Sequence, residues 1–198
     1  ADRKVVDLSA VDRDILTTLF SSQLPKVDNT QFFVNFEAMG ENGAPIILTQ
    51  NEYMRRMKEM AALQPGMNFY GEMPDSYSVI VNTENPIVKR VADEASKALT
   101  DKVAPMMEQV NANNEKITEL RKSATDNGGK TTAEDDKQIA DLQKSNDGKR
   151  EEQTAVITDY AKNQPLVGQL IDLALLGNGM LRGAQLSAFI SRSLELLK

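Results

Sequence analysis

The stretch PLVGQLIDLALLGNGMLRGAQLSAFISRSLELL, from Pro165 to Leu197, raises the question of what covers its apolar surface in the folded protein. Two leucine-rich segments stand back to back here, separated by Gly177, Asn178 and Gly179, at the end of an otherwise polar chain. Chain termini usually fray unless something ties them down. This much apolar surface therefore either folds back onto a core within the chain or meets a second copy of the chain.

Each of the two segments has the apolar spacing of an amphipathic helix. The first carries Leu166, Leu170, Leu173 and Ala174, with Ile171, Leu175 and Leu176 widening the arc, and the second carries Leu186, Phe189, Ile190, Leu194 and Leu197. Two short helices cannot cover each other's wide apolar faces, whereas a two-fold copy would complete a four-helix bundle.

The free energy available from these side chains is large enough for pairing. About ten large apolar side chains at roughly 1.5 kcal/mol each give on the order of 15 kcal/mol of gross burial. Association costs about 4–15 kcal/mol. If only a dimer buries these groups, they support pairing; if they already pack within the chain, most of the driving force is absent.

The composition excludes several kinds of chemistry. The 198 residues include 29 acidic and 23 basic side chains, a net charge of −6, and no basic cluster, so nucleic acid is not expected as a partner. Without cysteine or histidine, the chain has no disulfide, no thiolate nucleophile and no serine–histidine catalysis. No signal peptide opens the chain, and no apolar run approaches the ~20 residues that span a bilayer. A start at Ala1 rather than methionine suggests a piece of a longer protein.

Capping residues and apolar spacing predict three helices in the first hundred residues. Ser9 and Asp12 come close to a capping box at the start of LSAVDRDILTTLFSSQLP, a helix that Pro25 ends. Thr49 and Glu52 form a capping box before NEYMRRMKEMAALQ. The third helix, PIVKRVADEASKAL, is capped by the asparagine that precedes its proline.

Three short strands accompany these helices. TQFFVNFEA alternates with period two and places Phe32, Val34 and Phe36 on one face. MGENGAP has turn composition and PIIL reads as a strand, so these two strands are predicted to form a hairpin; SYSVIV is the third strand. The predicted fold class is α+β, a small three-stranded sheet with helices.

The region from about Asp101 to Lys162 is predicted to be an inserted helical hairpin. Its thin apolar stripes are Val103, Met106, Val110, Ile117 and Leu120 in the first arm, and Ile139, Leu142, Val156 and Tyr160 in the second. SNDGKR is expected to weaken the second arm. The chain is thus divided into an α+β part (1–100), a polar helical hairpin (101–162) and two dimerisation helices (163–198).

The stretch ATDNGGKT, from Ala124 to Thr131, formally matches a relaxed phosphate-loop pattern. That site requires a buried strand before the loop and a helix after it. A polar, helical segment precedes this loop, so we interpret it as the hairpin tip, and an enzyme that uses Lys130 is the weakest hypothesis. The acidic run at 134–136 is interpreted as helix capping rather than as a metal site.

A methionine-rich helix leaves two interpretations open. Tyr53, Met57 and Met60 share one face, with Met54 and Ala61 beside it. Four of the nine methionines, Met54, Met57, Met60 and Met67, fall in this region. Such a stripe is typical of core filling, but unbranched thioethers also form surfaces that adapt to varied partners.

Four segments in order resemble a known family: NEYMRRMKEMAAL, SYSVIVNTENPIVKRV, LIDLALL and LSAFISRSLELL. They are similar to the C-terminal dimerisation domain of the ninety-kilodalton heat-shock chaperones, and most of all to the bacterial branch called high-temperature protein G. The likeness covers residues 9–95 and 164–197, and the hairpin is longer than the usual connection at this place.

The resemblance implies a cytoplasmic homodimer that acts as part of an ATP-dependent molecular chaperone. It implies a dimer interface of Leu170, Leu173, Leu176, Leu186, Phe189, Ile190 and Leu194, which the helix pattern extends to Leu197. It also implies contact with unfolded or partly folded client proteins through Tyr53, Met54, Met57 and Met60. No catalytic residue, metal or cofactor is expected in this part of the chain, because ATP and Mg²⁺ belong to a separate N-terminal domain. The alternative hypothesis is a scaffold or dimerisation module of an unrelated assembly that binds through the hairpin.

Overall fold

The computed structural model describes residues 6–63, 73–126, 128–129 and 131–198. The elements are α1 (Ala10–Ser21), β1 (Thr30–Glu37), β2 (Ile46–Gln50), α2 (Glu52–Leu63), β3 (Asp75–Asn82), α3 (Pro86–Asp126), α4 (Ala133–Ala161), α5 (Pro165–Gly177) and α6 (Gly183–Leu196). Helices and a small sheet share one chain, so the predicted α+β class is confirmed.

The helix starts show which capping predictions hold. The Ser9 hydroxyl accepts a hydrogen bond from the Asp12 N–H at 3.0 Å, as the sequence predicts for α1. The predicted cap of α2 is wrong, because Thr49 lies in β2 and the Asn51 side chain instead accepts from the Met54 N–H at 3.2 Å. Asparagine is the better N-cap residue, and β-branched threonine suits the strand.

The sheet has the order β1-β3-β2, with β1 parallel and β2 antiparallel to β3. The predicted hairpin of β1 and β2 is therefore wrong, although all three strands were located correctly. β3 carries Val79, Ile80 and Val81 in succession and takes the centre, where apolar side chains on both faces find neighbours. The turn after β1 is held instead by the buried Asn82 side chain, whose Nδ2 donates to the Gly40 carbonyl oxygen at 2.9 Å.

The core lies between one face of the sheet and helices α1, α3, α4 and α5. Helix α1 contributes four side chains that are at most 1% exposed: Ile15, Leu16, Leu19 and Phe20. The sheet contributes one aligned row across its three strands. Val79 of the central strand β3 pairs with Val34 of β1 on one side and with Leu48 of β2 on the other. Because α1 touches both the sheet and the two long helices, it joins the sheet to the hairpin.

Helices α3 and α4 form the predicted antiparallel hairpin, but its base is part of the core. Helix α3 starts at Pro86 behind the Asn85 cap and runs without a break past residue 101, where the sequence analysis placed a boundary. Val103 on α3 and Ile157 on α4 are both fully buried in the core. Beyond them the seam continues through three further buried side chains, Val110, Ile117 and Ile139.

A layer of amides interrupts the apolar seam of the hairpin. Asn113 Nδ2 donates to Asn146 Oδ1 at 2.9 Å, and Asn146 Nδ2 donates to Asn114 Oδ1 at 2.9 Å. Gln109 Nε2 also donates to Asn113 Oδ1, at 3.0 Å. The segment SNDGKR does not interrupt the second arm, because α4 continues through it and buries Asn146 against a matching partner. A polar layer of this kind fixes the register of two helices at some cost in stability.

Candidate surfaces for self-association and client contact

Helix α5 buries one face within the chain and exposes another. Leu170, proposed above as an interface residue, is 6% exposed and packs in the core with Val167, Ile171 and Leu175. Its place is fixed by the contact of α5 with β2 and α1. One side of this helix therefore folds back onto the chain's own core, and only the other side is available to a second copy.

Helix α6 differs, because it has no buried residue. Leu186 and Phe189 are half-buried against the core. The remaining proposed interface side chains are exposed to solvent: Leu173, Leu176, Ile190, Leu194 and Leu197, with exposed fractions from 39% to 83%. We call these five residues the pairing surface; large apolar side chains exposed on two neighbouring helices mark a candidate interaction site.

Polar side chains join α6 to α5. Gln169 Nε2 donates to Ser193 Oγ at 2.5 Å, and Arg192 Nε donates to Gln169 Oε1 at 3.2 Å. The Arg192 guanidinium also forms an ion pair with Asp172, whose side chain is only 17% exposed. Burial raises the pKa of the Asp172 carboxyl above its ordinary value, and the adjacent guanidinium opposes that rise.

This polar group could not be predicted from the sequence. In the sequence, Asp172 is a charge within an apolar run, and nothing local indicates that Arg192, on the next helix, is its partner. A charged residue inside a leucine-rich arc does signal a specific partner, because buried charges are paired.

Helix α2 carries its methionines on the surface rather than in the core. Tyr53 and Met60 are 66% and 47% exposed, and Met54 and Met57 are half-buried. Ala61 is the one buried residue of this helix. Of the two interpretations left open by the sequence, the structure favours an apolar surface; Met67 lies outside the described residues.

Ion pairs cover the opposite side of α2. Glu52 binds Arg55 at 2.7 Å and Arg56 at 2.9 Å, and hydrogen bonds from these two guanidinium groups lower the pKa of Glu52 to about 2. A further ion pair, Lys58 with Asp75 at 2.8 Å, ties the helix to the start of β3. The pairs within α2 lie three or four residues apart and favour its helical conformation, and the Lys58–Asp75 pair connects the helix to β3.

The hairpin tip contains no phosphate-loop architecture in its described part. The long helix α3 precedes Gly128 and Gly129, where the site would require a strand; Lys130 lies outside the described residues. In the acidic run, Asp135 and Thr132 form a capping box at the start of α4, as predicted. Thr132 also lowers the pKa of the Asp135 carboxyl by donating hydrogen bonds to it.

The described ranges contain neither a cluster of metal-ligating side chains nor a membrane-spanning helix. No group of three or more acidic side chains there is arranged to hold a metal ion. Among the helices of the described residues, none combines the length and apolarity that crossing a membrane requires.

Comparison with known proteins places the chain in a family. Chaperone protein HtpG of Bacteroides thetaiotaomicron is 42% identical over 198 residues, which cover 99% of this chain and 29% of that protein. The chaperone proteins of the same name from Bacteroides fragilis and Porphyromonas gingivalis are 39% identical over 199 residues and 41% identical over 207 residues, with the same coverage. Neither a protein-family model nor a solved structure matches the chain.

The chain belongs to the ninety-kilodalton heat-shock chaperone family, in its bacterial high-temperature protein G branch. It spans about 29% of the length of these curated relatives and corresponds to one domain of such a chaperone. The likeness covers 99% of the chain, so it includes the hairpin, which the sequence analysis had left out of the resemblance. This coverage removes the alternative of a scaffold module from an unrelated assembly.

Proposed function

We propose that this domain holds two copies of the chaperone together through the pairing surface on α5 and α6. The observation that carries the proposal is the exposure of Ile190, Leu194 and Leu197 along a helix that buries no residue in its own chain. A second copy that packs these helices into a four-helix bundle would remove the apolar stripe from water. Residue Leu170 supports the surface from the core side.

The proposed mechanism is mechanical rather than chemical. Tethering two copies raises the effective concentration of the remaining domains toward one another, so that a transient contact between them becomes intramolecular. We place ATP and Mg²⁺ in those other domains and no cofactor in this one. The proposal further includes a cytoplasmic location and no binding to nucleic acid or membrane.

The solution mass of the chain tests the proposal. We expect light scattering at micromolar concentration to give twice the 21.9 kDa chain mass. A variant in which residues 115–144 are replaced by a short glycine-rich turn keeps the Asn113–Asn146 layer and serves as the control. It should remain dimeric, because the replaced segment lies beyond that layer; a monomeric mass for the unaltered chain would contradict the proposal.

We also propose that the apolar side of α2, formed by the exposed Tyr53 and Met60 and the half-buried Met54 and Met57, contacts unfolded segments of client proteins. Thioether side chains repack against many apolar shapes, which suits a surface without a single partner. The ion pairs on the other side of the helix keep it helical without using these side chains.

Met60→Ser should weaken binding of a permanently unfolded test protein about threefold to tenfold, since one exposed thioether contributes on the order of 1 kcal/mol. The free energy of unfolding should change little because Met60 is 47% exposed. Ile87→Ser, which removes a comparably exposed apolar side chain from α3, is the matched control. Fluorescence anisotropy of a labelled unfolded protein measures the binding affinity of both variants. Equal weakening by Met60→Ser and Ile87→Ser would mean that the binding depends on general surface apolarity and not on α2.

A further inference from the structure

Polar contacts make up much of the attachment of α6 to the remainder of the chain. Its apolar contribution is limited to the half-buried Leu186 and Phe189. A cleft of about 370 Å³, lined by Gln23, Lys162 and Gln164 on one side and by Gln185 and Arg192 on α6, separates much of this helix from the base of the hairpin. Apolar packing alone therefore leaves the orientation of α6 weakly determined.

The polar contacts between α5 and α6 are specific enough to determine that orientation. Gln169 is bonded at both ends, because its Nε2 donates to Ser193 Oγ while its Oε1 accepts from Arg192 Nε. Arg192 in turn pairs with Asp172, one turn further along α5. A guanidinium held by two acceptors on one helix face fixes both the rotation and the position of α6, since its donors form a rigid planar fork.

These contacts lie on the same helix faces as the pairing surface. On α5, Gln169, Asp172, Leu173 and Leu176 follow the i, i+3, i+4, i+7 spacing of one face. On α6, Ser193 lies three residues after Ile190 and four residues before Leu197, so it borders the exposed stripe. A rotation of α6 that broke the polar contacts would therefore also move Ile190 and Leu194 relative to Leu173 on α5.

We propose that Gln169, Asp172, Arg192 and Ser193 form a positioning clasp that orients α6 on α5 before a second copy binds. The clasp does not itself contact the second copy. It holds the side chains of the pairing surface in their binding arrangement before the second copy binds. Such preorganisation raises affinity because less conformational entropy is lost on association. The inference rests on the proposed self-association for its effect on affinity, but the clasp can be tested without it.

The first experiment measures the dimer dissociation constant by sedimentation equilibrium. Arg192→Gln leaves the Asp172 carboxylate without its cation and should weaken the dimer at least tenfold. The neutral pair Asp172→Asn with Arg192→Gln should recover part of that loss, because neither charge is left alone. Arg182→Gln, an exposed arginine at the start of the same helix, should leave the dissociation constant unchanged.

The second experiment separates orientation within one chain from contact between chains. In the Leu194→Asp background, where the chain is expected to be monomeric, amide hydrogen exchange of residues 184–196 reports how firmly α6 is held. Arg192→Gln should accelerate this exchange about tenfold and leave the amides of α1 unchanged. An unchanged amide exchange rate in α6 would overturn the clasp. The clasp would also be overturned if the double variant Asp172→Asn with Arg192→Gln formed a dimer no tighter than that of Arg192→Gln alone. An unaltered chain that is monomeric would instead overturn the proposed self-association, and the exchange result would still decide the clasp.

Discussion

Leu194→Asp should convert the paired chains into folded monomers, with a dissociation constant at least about a thousandfold higher. Leu194 is 59% exposed in the single chain, so the aspartate meets water there and the fold is retained. In a two-fold bundle each copy contributes one such position, and each loses about 2 kcal/mol of apolar burial, for a total near 4 kcal/mol. At about 1.4 kcal/mol per decade of affinity, this corresponds to roughly three decades before any repulsion between the two carboxylates is added.

Light scattering over a concentration series measures this change, and circular dichroism verifies that the monomer is folded. Ile87→Asp introduces the same charge at an exposed apolar position of α3, outside the pairing surface, and should leave the mass unchanged. If Leu194→Asp keeps the doubled mass, α6 lies outside the contact between copies. If both variants lower the mass, the loss reflects net charge rather than a specific surface.

The second large effect is expected at the base of the hairpin. Ile157→Ala should lower the free energy of unfolding by about 2–5 kcal/mol, because it removes a fully buried side chain from the common core and leaves a cavity. This is a large share of the roughly 5–15 kcal/mol that stabilises a typical domain. Urea denaturation followed by circular dichroism gives the value.

Ile139→Ala, in the outer part of the same helix, is the comparison. Ile139 is buried in the seam between α3 and α4 and does not belong to the common core. Its loss should destabilise mainly the outer hairpin, with a smaller effect on the main transition. Equal losses for the two variants would mean that the whole hairpin unfolds with the core; no loss at Ile157 would mean that the hairpin folds as a separate unit.

Local signals in the sequence predicted most of the elements but not their arrangement. The alternation in β1 and the cap at Ser9 depend on residues a few positions apart, and both predictions are confirmed. Strand order depends on a contact between β1 and β3, which are separated by the whole of β2 and α2, and no local pattern encodes it. The boundary at residue 101 was placed at a change of composition, whereas the helix simply passes from the core into the hairpin seam.

For the candidate surfaces too, the sequence predicted the helices but not which of their side chains are buried or exposed. Helical spacing assigned Leu170 and Leu173 to one wide apolar arc, but only the packing of α5 against β2 shows that the first is internal and the second exposed. For α2, composition alone left core and surface open, and the position of the helix beside β3 decided between them. The pairing of Asp172 with Arg192 required knowing how two helices cross.

The continuity of α3 gives the hairpin the properties of a lever. From Val103, in the core, to Asp126, at its end, the helix extends about 35 Å at 1.5 Å per residue. A tilt of one degree at the base therefore displaces the end by about 0.6 Å. The Asn113–Asn146 layer fixes the register of the two arms, so a load applied near the tip is expected to act on the core at Val103 and Ile157, where the two arms enter it.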